Sequence, residues 1–187
     1  MSKGNQIIAE AAITVISRYG MRKTTMSDIA QAAGVSRQTL YNAYANKEDV
    51  VRDAIRFVTE SGISAVQEAW AEPSTLSQKL DSFFEIGPLA WFDLLQSSPD
   101  AADLIDGLKA AGHDEMAQGS LRWTQELTRL LFPFDDRLTA MGISAADVAD
   151  MIFSTSSAAK TNSVTREQLQ ARLQTLKYSV LALTGEP

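Results

Sequence analysis

The chain contains no cysteine and a single histidine, His113, among its 187 residues. Disulfide scaffolds, iron–sulfur clusters and zinc fingers need several thiolate or imidazole ligands that converge on one point. These classes are therefore excluded, and we expect no metal and no cofactor. Long apolar runs are also missing: none approaches the ~20 residues that span a bilayer, and Glu10 interrupts the N-terminal apolar stretch. The sequence predicts a cytoplasmic protein without a membrane partner.

Glycine and proline are scarce, at 10 and 5 residues, whereas 45% of the chain is apolar and 21% is charged. This composition is typical of a globular protein that buries a core, and it argues against wholesale disorder and fibrous repeats. At the usual ~100 to 150 residues per domain, the length favours one domain plus a small module.

The charge is distributed unevenly. The chain has 17 basic and 23 acidic residues, a net charge of −6, which by itself argues against binding to nucleic acid. Residues 1–56, however, hold eight basic and five acidic residues, so this segment is +3 and the remainder is −9. A basic module joined to an acidic body suits a chain that meets phosphate at one end, although chance alone can produce a difference of this size.

Apolar residues at three- and four-residue spacing predict an all-α fold of about nine helices, and no segment alternates in the way a strand does. The first helix is predicted over residues 5–19. Thr25 is predicted to cap a short helix that ends at Gly34, and Ser36 to cap a third helix that runs to Tyr44. Asn46 is predicted to cap the fourth helix, and Gly87-Pro88 to kink or loosen a later one. The fourth helix and those after it are predicted near residues 47–70, 75–97, 100–110, 113–132, 144–160 and 165–184, with breaks near Gly112 and from Pro133 to Gly142. We expect a DNA-binding domain over residues 1–48 and a second helical domain over residues 49–187.

The stretch from Thr24 to Tyr44 has the spacing of a helix-turn-helix. Ala30 is small enough for two helices to cross closely, and Gly34 supplies the turn between them. Ile29, Val35 and Leu40 are predicted to fill the wedge between the two helices.

The polar residues of the third helix are predicted to face outward, where they can reach the major groove of B-DNA. Arg can donate to guanine O6 and N7, and Gln can pair with adenine N6 and N7. We therefore assign Arg37 and Gln38 to bases. Hydroxyl and ammonium groups suit phosphate oxygens, and the residues assigned to phosphates are Thr25, Ser36, Thr39, Tyr41 and Lys47. The alternative is a helical corner whose polar face is merely solvated.

The residues that frame this corner match those of a known family: Thr24, Thr25, Asp28, Ile29, Ala30, Ala33, Gly34, Val35, Ser36, Thr39, Leu40, Tyr41, Tyr44, Asn46, Lys47 and Glu48. In these positions the sequence resembles the TetR family of bacterial transcription regulators. The resemblance implies a homodimeric repressor that binds a palindromic operator on double-stranded DNA and is released by a small-molecule effector. Ala43 departs from the pattern, because the family often has His there, so one expected phosphate contact is absent or supplied elsewhere.

Aromatic residues are concentrated in the second predicted domain, and the resemblance raises the odds that some of them line an effector pocket. The candidates are Phe83, Phe84, Trp91 and Trp123. Aromatic residues at helical spacing more often form plain core, and that alternative stays open.

Two C-terminal helices carry apolar seams suited to helix packing. The seam residues are Val148, Ile152, Thr155, Leu169, Leu173, Leu176 and Val180. By the resemblance, two helices from each chain would build a four-helix dimer interface, for which these residues are candidates. Equally, the leucine seam can face the chain's own core, leaving Ala171, Thr175, Tyr178 and Ala182 on the opposite face.

Two other functional classes compete with a DNA-binding regulator. The first is a helical ligand-binding or adapter protein that has lost DNA binding, which the acidity and Ala43 favour slightly. The second is an enzyme, for which Asp81 and Glu85, four residues apart, are the only candidate pair. A solvated helix face explains that pair more simply, so no catalytic residue is expected.

Overall fold

A computed structural model of the chain describes residues 1–98 and 101–186. The fold is all-α, as predicted, and these residues contain no strand. The helices are α1 (Lys3–Tyr19), α2 (Met26–Ala32), α3 (Arg37–Ala43), α4 (Lys47–Ala71), α5 (Leu76–Phe84), α6 (Ala90–Ser97), α7 (Ala101–Leu131), α8 (Asp135–Ala140), α9 (Ala145–Asn162) and α10 (Arg166–Thr184). None of the helices in the described part is long and apolar enough to cross a bilayer.

Small hydroxyl residues start most of these helices, because each accepts a hydrogen bond from a backbone N–H that the first turn leaves unpaired. The capping residues are Ser2, Thr25, Ser36, Thr75, Ser144 and Thr165. The predicted cap at Asn46 is also confirmed, since its Oδ1 accepts the Asp49 N–H at 2.8 Å.

Two irregularities predicted from glycine and proline are present. Gly87 and Pro88 lie in a π-helical turn, Glu85–Leu89, that joins α5 to α6. Proline has no N–H to donate, and the wider turn accommodates the missing bond. In α7, Gly112 leaves the helical region (φ −130°, ψ 26°), so the predicted helices near 100–110 and 113–132 form one element with a kink between them.

One helix escaped sequence reasoning. The stretch from Pro133 to Gly142 was expected to be a break, but it contains a 3-10 turn, Phe132–Phe134, and the whole of α8. The helix is short, and Leu138 is its only buried residue, so there was no periodic pattern to detect. Asp135 accepts the Ala145 N–H at 2.8 Å and so connects the start of α8 to the start of α9.

The chain divides into two compact units, each with its own core. The first unit comprises Met1–Ser61 and Leu94–Gly119, and the second comprises Gly62–Asp93 and Ser120–Pro187. This division differs from the one expected at residues 48 and 49, because part of α7 packs with the N-terminal helices. The extent of a DNA-binding segment is a different quantity from a packing unit, so that boundary stays a prediction.

The apolar seam of α9 and α10 requires a correction. Six of its seven residues lie in the core of the second unit: Val148, Ile152, Leu169, Leu173, Leu176 and Val180. A side chain buried within its own protomer cannot contact a partner, so these six do not form the dimer interface. Thr155 alone is exposed. Heptad-like spacing specifies that a helix packs against a neighbour, but it does not say which chain supplies that neighbour.

Candidate nucleic-acid interface

The corner between α2 and α3 is fixed by backbone hydrogen bonds and by glycine. Gly34 adopts φ +66°, a conformation that other residues rarely take. Its N–H donates to Gln31 O at 3.2 Å, and the Val35 N–H donates to Ala30 O at 3.0 Å. Ile29, Ala30 and Leu40 are buried beneath the corner, as predicted. The geometry is that of a helix-turn-helix.

Six of the seven residues of α3 are exposed, and Leu40 alone is buried, at 0%. The helix is therefore anchored along one line and presents the rest of its surface to solvent. That surface carries the side chains that sequence reasoning singled out, including Arg37, Gln38, Thr39 and Tyr41. A polar, protruding helix of this kind is what the major groove accepts.

The two side chains assigned to bases differ in their freedom. Within the described part of the chain, the Arg37 guanidinium has no hydrogen-bond acceptor. Gln38 is oriented by Asn42, because its Nε2 donates to Asn42 Oδ1 at 2.8 Å. Gln38 thus keeps its carbonyl oxygen for an outside donor, and Asn42 joins it on the same exposed face.

Two of the hydroxyl residues assigned to phosphates, Thr25 and Ser36, also cap the helices that follow them. Ser36 Oγ accepts the Thr39 N–H at 3.0 Å, and the two hydroxyl groups lie 2.8 Å apart. Thr25 and Asp28 form a reciprocal capping box at the start of α2. The Thr25 hydroxyl and backbone N–H lower the pKa of Asp28, and the charge of Arg37 adds to that effect.

Lys47 lies where sequence reasoning did not expect it. Its Nζ donates to the carbonyl oxygens of Met21 at 2.7 Å and Thr24 at 2.9 Å. Two of its three N–H groups therefore join the start of α4 to the segment that leads into α2. The chain gives no local signal of this role, because the acceptors are backbone atoms more than twenty residues away.

Tyr44, one of the residues that carry the family resemblance, has a structural role. It caps the C-terminal end of α3 and is buried, with 6% of its surface exposed. Its hydroxyl donates to Asp53 Oδ2 at 2.7 Å. Burial, followed by the bond to Asp53, raises the pKa of Tyr44. The end of the exposed helix is thereby fixed to α4.

The N-terminal segment has fewer unpaired basic side chains than its net charge of +3 suggests. Arg22 pairs with Asp103 at 2.6 Å, and Arg52 pairs with Asp49. Arg56 pairs with both Asp53 and Glu115. Three of the eight basic residues are thus already paired with carboxylates within the first unit. The exposed donors of α3 are therefore a better indication of a DNA-binding surface than the net charge of the segment.

In the second unit, the four aromatic residues assigned to an effector pocket differ in their surroundings. Phe83 and Phe84 are buried in the core, and Phe83 meets the edge of Trp123 at 5.5 Å between ring centroids. Trp91 lies separately, with the Lys160 ammonium 5.5 Å from its ring centroid. The described residues also form an open groove of about 390 Å³. Of the four aromatic candidates, only Phe84 is among its lining residues, which are Asp81, Phe84, Glu85, Leu89, Gln170, Leu173 and Gln174.

The carboxylates considered for an enzyme are held by cations. Asp81 pairs with Lys177 at 2.8 Å, and Glu85 pairs with Arg166 at 3.0 Å. Both carboxylates are thus engaged in ion pairs that join α10 to α5 and to the turn that follows it.

Comparison with known proteins places the N-terminal residues in a named family model. The model described as bacterial regulatory proteins, tetR family, matches residues 8–54. The chain is 28% identical over 81 residues to the uncharacterized HTH-type transcriptional regulator YezE of Bacillus subtilis, covering 43% of this chain and 42% of the relative. It is 25% identical over 190 residues to the fatty acid metabolism regulator protein of the same organism, covering 95% of this chain and 88% of the relative. The chain thus spans less than half the length of the first relative and most of the second.

Solved structures share the fold over nearly the whole chain. The fatty acid degradation regulator FadR from Bacillus halodurans superposes with a TM-score of 0.69 at 20% identity, covering 98% of this chain and 96% of that one. A TetR transcription regulator from Haloarcula marismortui superposes with a TM-score of 0.68 at 19% identity, covering 97% and 98%. At these identities the likeness shows the fold.

The position of Lys47 leads to a test of its role. Replacing it with methionine, Lys47→Met, leaves two carbonyl oxygens without their charged donor. We expect the free energy of unfolding to fall by about 1 to 3 kcal/mol, as measured by chemical denaturation. Lys23→Met is the matched control, because Lys23 is exposed. Unchanged stability in Lys47→Met, together with a shallower salt dependence of DNA binding, would instead identify Lys47 as a phosphate ligand only.

Proposed function

We propose that the chain is a member of the tetR family of bacterial regulatory proteins, whose model matches residues 8–54, and that it is a homodimeric repressor that binds a palindromic operator and leaves it when a small molecule binds. The observation that carries the proposal is the exposure of α3, which holds its donors outward on a rigid corner. Two such helices, related by a two-fold axis, would enter successive major grooves ~34 Å apart.

Sequence would be read by Arg37 and Gln38. The Arg37 guanidinium is available for a bidentate contact to guanine, and the Gln38 carbonyl, oriented by Asn42, faces outward to accept from adenine. The exposed hydroxyl groups of Thr25, Ser36, Thr39 and Tyr41 would hold phosphates on either side. Lys47 would add its remaining N–H to a phosphate while its other two stabilise the corner.

The dimer interface would use the outward face of α9 and α10. On α10 this face carries Ala171, Thr175, Tyr178 and Ala182, all exposed. On α9 the exposed Thr155 belongs to it. Mostly small side chains let helices approach closely, and two helices from each chain would form a four-helix bundle. The buried leucine seam keeps the two helices together within each protomer.

The effector class that the second unit favours is a fatty acid. Two of the proteins that this chain resembles are named as regulators of fatty acid metabolism or degradation. Lys160 is partly buried over Trp91, and within the described residues it has no carboxylate partner. Burial lowers the pKa of Lys160, and an anionic head group at its ammonium would relieve that cost. The acyl chain would have to displace packed aromatic side chains such as Phe83 and Phe84, which supplies a route from binding to conformational change.

The first test is binding to the DNA upstream of the protein's own gene. We expect the wild type to form a palindrome-dependent complex that weakens steeply with salt. Arg37→Ala should lose about 1 to 3 kcal/mol of binding free energy, with the loss concentrated at one base position of each half-site. Arg129→Ala is the control, because it removes an exposed arginine from α7 outside the helix-turn-helix. A wild type that binds no DNA but retains its ligand would favour the alternative of an adapter that has lost DNA binding.

The second test concerns the dimer. Thr175→Glu places a charge in the proposed interface, where a desolvated carboxylate without a partner is strongly unfavourable. We expect the variant to be monomeric by sedimentation velocity, with unchanged helix content by circular dichroism. Thr139→Glu, on exposed α8, makes the same change elsewhere and should stay dimeric. A Thr175→Glu protein that sediments as the wild type does would contradict this interface.

The third test concerns the effector. Oleate, below its critical micelle concentration, should dissociate the wild-type operator complex and quench tryptophan fluorescence. Lys160→Met keeps the packing over Trp91 but removes the cation, so its operator complex should form normally and resist oleate about tenfold or more. Lys109→Met, an exposed lysine, is the control. Equal sensitivity of wild type and Lys160→Met would remove Lys160 from the site, and an insensitive wild type would remove fatty acids from consideration.

A further inference from the structure

A chain of polar contacts runs behind α3, away from its DNA-facing side chains. It begins at Tyr44, which ends α3 and donates its hydroxyl to Asp53 of α4. The second oxygen of Asp53 accepts from Arg56 Nη1 at 2.9 Å. Arg56 then donates to Glu115 of α7 through Nε, at 3.2 Å, and through Nη2. Four side chains thus connect the end of α3 to α7 within the first unit.

The polar contacts that run from Tyr44 to Glu115 are partly shielded from solvent. The side chains of Asp53 and Glu115 are 16% and 17% exposed, and that of Arg56 is 39% exposed. Glu115 raises the pKa of Arg56, which therefore stays charged and forks between two carboxylates. Charge-assisted bonds at partly buried positions hold geometry better than exposed ion pairs do.

Packing beside this chain is close. Arg52 Nη1 donates to Ala111 O at 3.3 Å, one residue before the kink in α7. At the kink, a Cβ on Gly112 would lie 2.1 Å from Ile55 Cδ1, so the glycine makes room for the isoleucine. Residues 52, 55 and 56 of α4 therefore meet residues 111, 112 and 115 of α7, one helical turn against another. The contact between Glu115 and Arg56 thus extends an interface between α4 and α7 in which the α7 backbone already takes part.

We propose that Glu115 is a positioning residue for DNA recognition: through Arg56, Asp53 and Tyr44 it fixes the orientation of α3, without itself touching DNA. The inference rests on the proposed function for its readout in operator affinity. It also gives a role to Arg56, one of the eight basic residues of the N-terminal segment. An arginine that forks between Asp53 and Glu115 acts on DNA binding through geometry.

The test is Glu115→Gln in the full-length chain, which keeps the shape of the side chain and removes its charge. We expect operator affinity to fall about 5- to 20-fold, the lower part of the range of typical coupling between sites. The slope of log affinity against log salt should stay at the wild-type value, because no phosphate contact is lost. Arg56→Gln should behave in the same way, and the double variant should be little worse than either single one.

The matched control is Glu126→Gln. Glu126 lies on the same helix, is similarly shielded at 13% exposure, and pairs with Arg129 three residues on. This ion pair is local to α7, so its loss should leave operator affinity within about twofold of the wild type. Melting temperature and sedimentation of each variant show whether fold and dimer are intact.

A second measurement does not depend on DNA. In the free protein, Glu115→Gln should speed hydrogen exchange at the Tyr44 N–H, which donates to Leu40 O at the end of α3. Unchanged exchange and unchanged affinity in a folded Glu115→Gln dimer would overturn the inference while the wild type still binds its operator. A salt slope that falls by about one for Arg56→Gln would overturn it in another way, by making Arg56 a phosphate ligand. A wild type that binds no operator would defeat the proposed function instead, and exchange at Tyr44 would then decide the role of Glu115.

Discussion

The structure of the surface proposed to meet DNA depends on keeping a seven-residue helix folded while six of its residues are exposed. A helix this short is unstable alone in water, because nucleation is costly and few bonds repay it. The chain meets the difficulty at three points of α3: Ser36 caps its start, Leu40 buries its middle, and Tyr44 closes its end. With those points fixed, the remaining side chains need contribute nothing to stability and are available to read DNA.

Neighbouring elements of the first unit hold the corner that carries α3. Lys47 holds the segment before α2 through two carbonyl oxygens. Asp53 receives the Tyr44 hydroxyl, and Arg56 carries the connection on to α7. Several cations of the N-terminal segment thus stabilise the corner, and the positive charge that DNA would meet is carried by fewer residues than the sequence count implies. For that reason, exposure and orientation are better guides to the interface than net charge.

Local patterns in the sequence were sufficient for most of the fold. Caps at Thr25, Ser36 and Asn46, the turn at Gly34, and the irregularities at Gly87-Pro88 and Gly112 were all predicted, because each follows from a residue and its near neighbours. The contacts that sequence reasoning missed are long-range. Lys47 donates to backbone oxygens, and Arg56 donates to Glu115, 59 residues away. The spacing of residues in the sequence does not indicate either partner. For the same reason α8 was missed, since Leu138 alone makes no period.

The face of α9 and α10 illustrates a limit of pattern that is physical. Leu169, Leu173, Leu176 and Val180 recur at the spacing that any packed helix shows, and burial of apolar surface is favourable whichever chain supplies the partner. Structure resolves the ambiguity, because a side chain already buried in its protomer has no surface left to offer a second copy. The weaker pattern on the other side, small and polar residues around Ala171 and Thr175, is then the one that we propose for assembly. The apolar seam that the sequence pattern reveals is buried within the protomer. A surface through which two copies could meet is therefore expected among the exposed residues that form no apolar period.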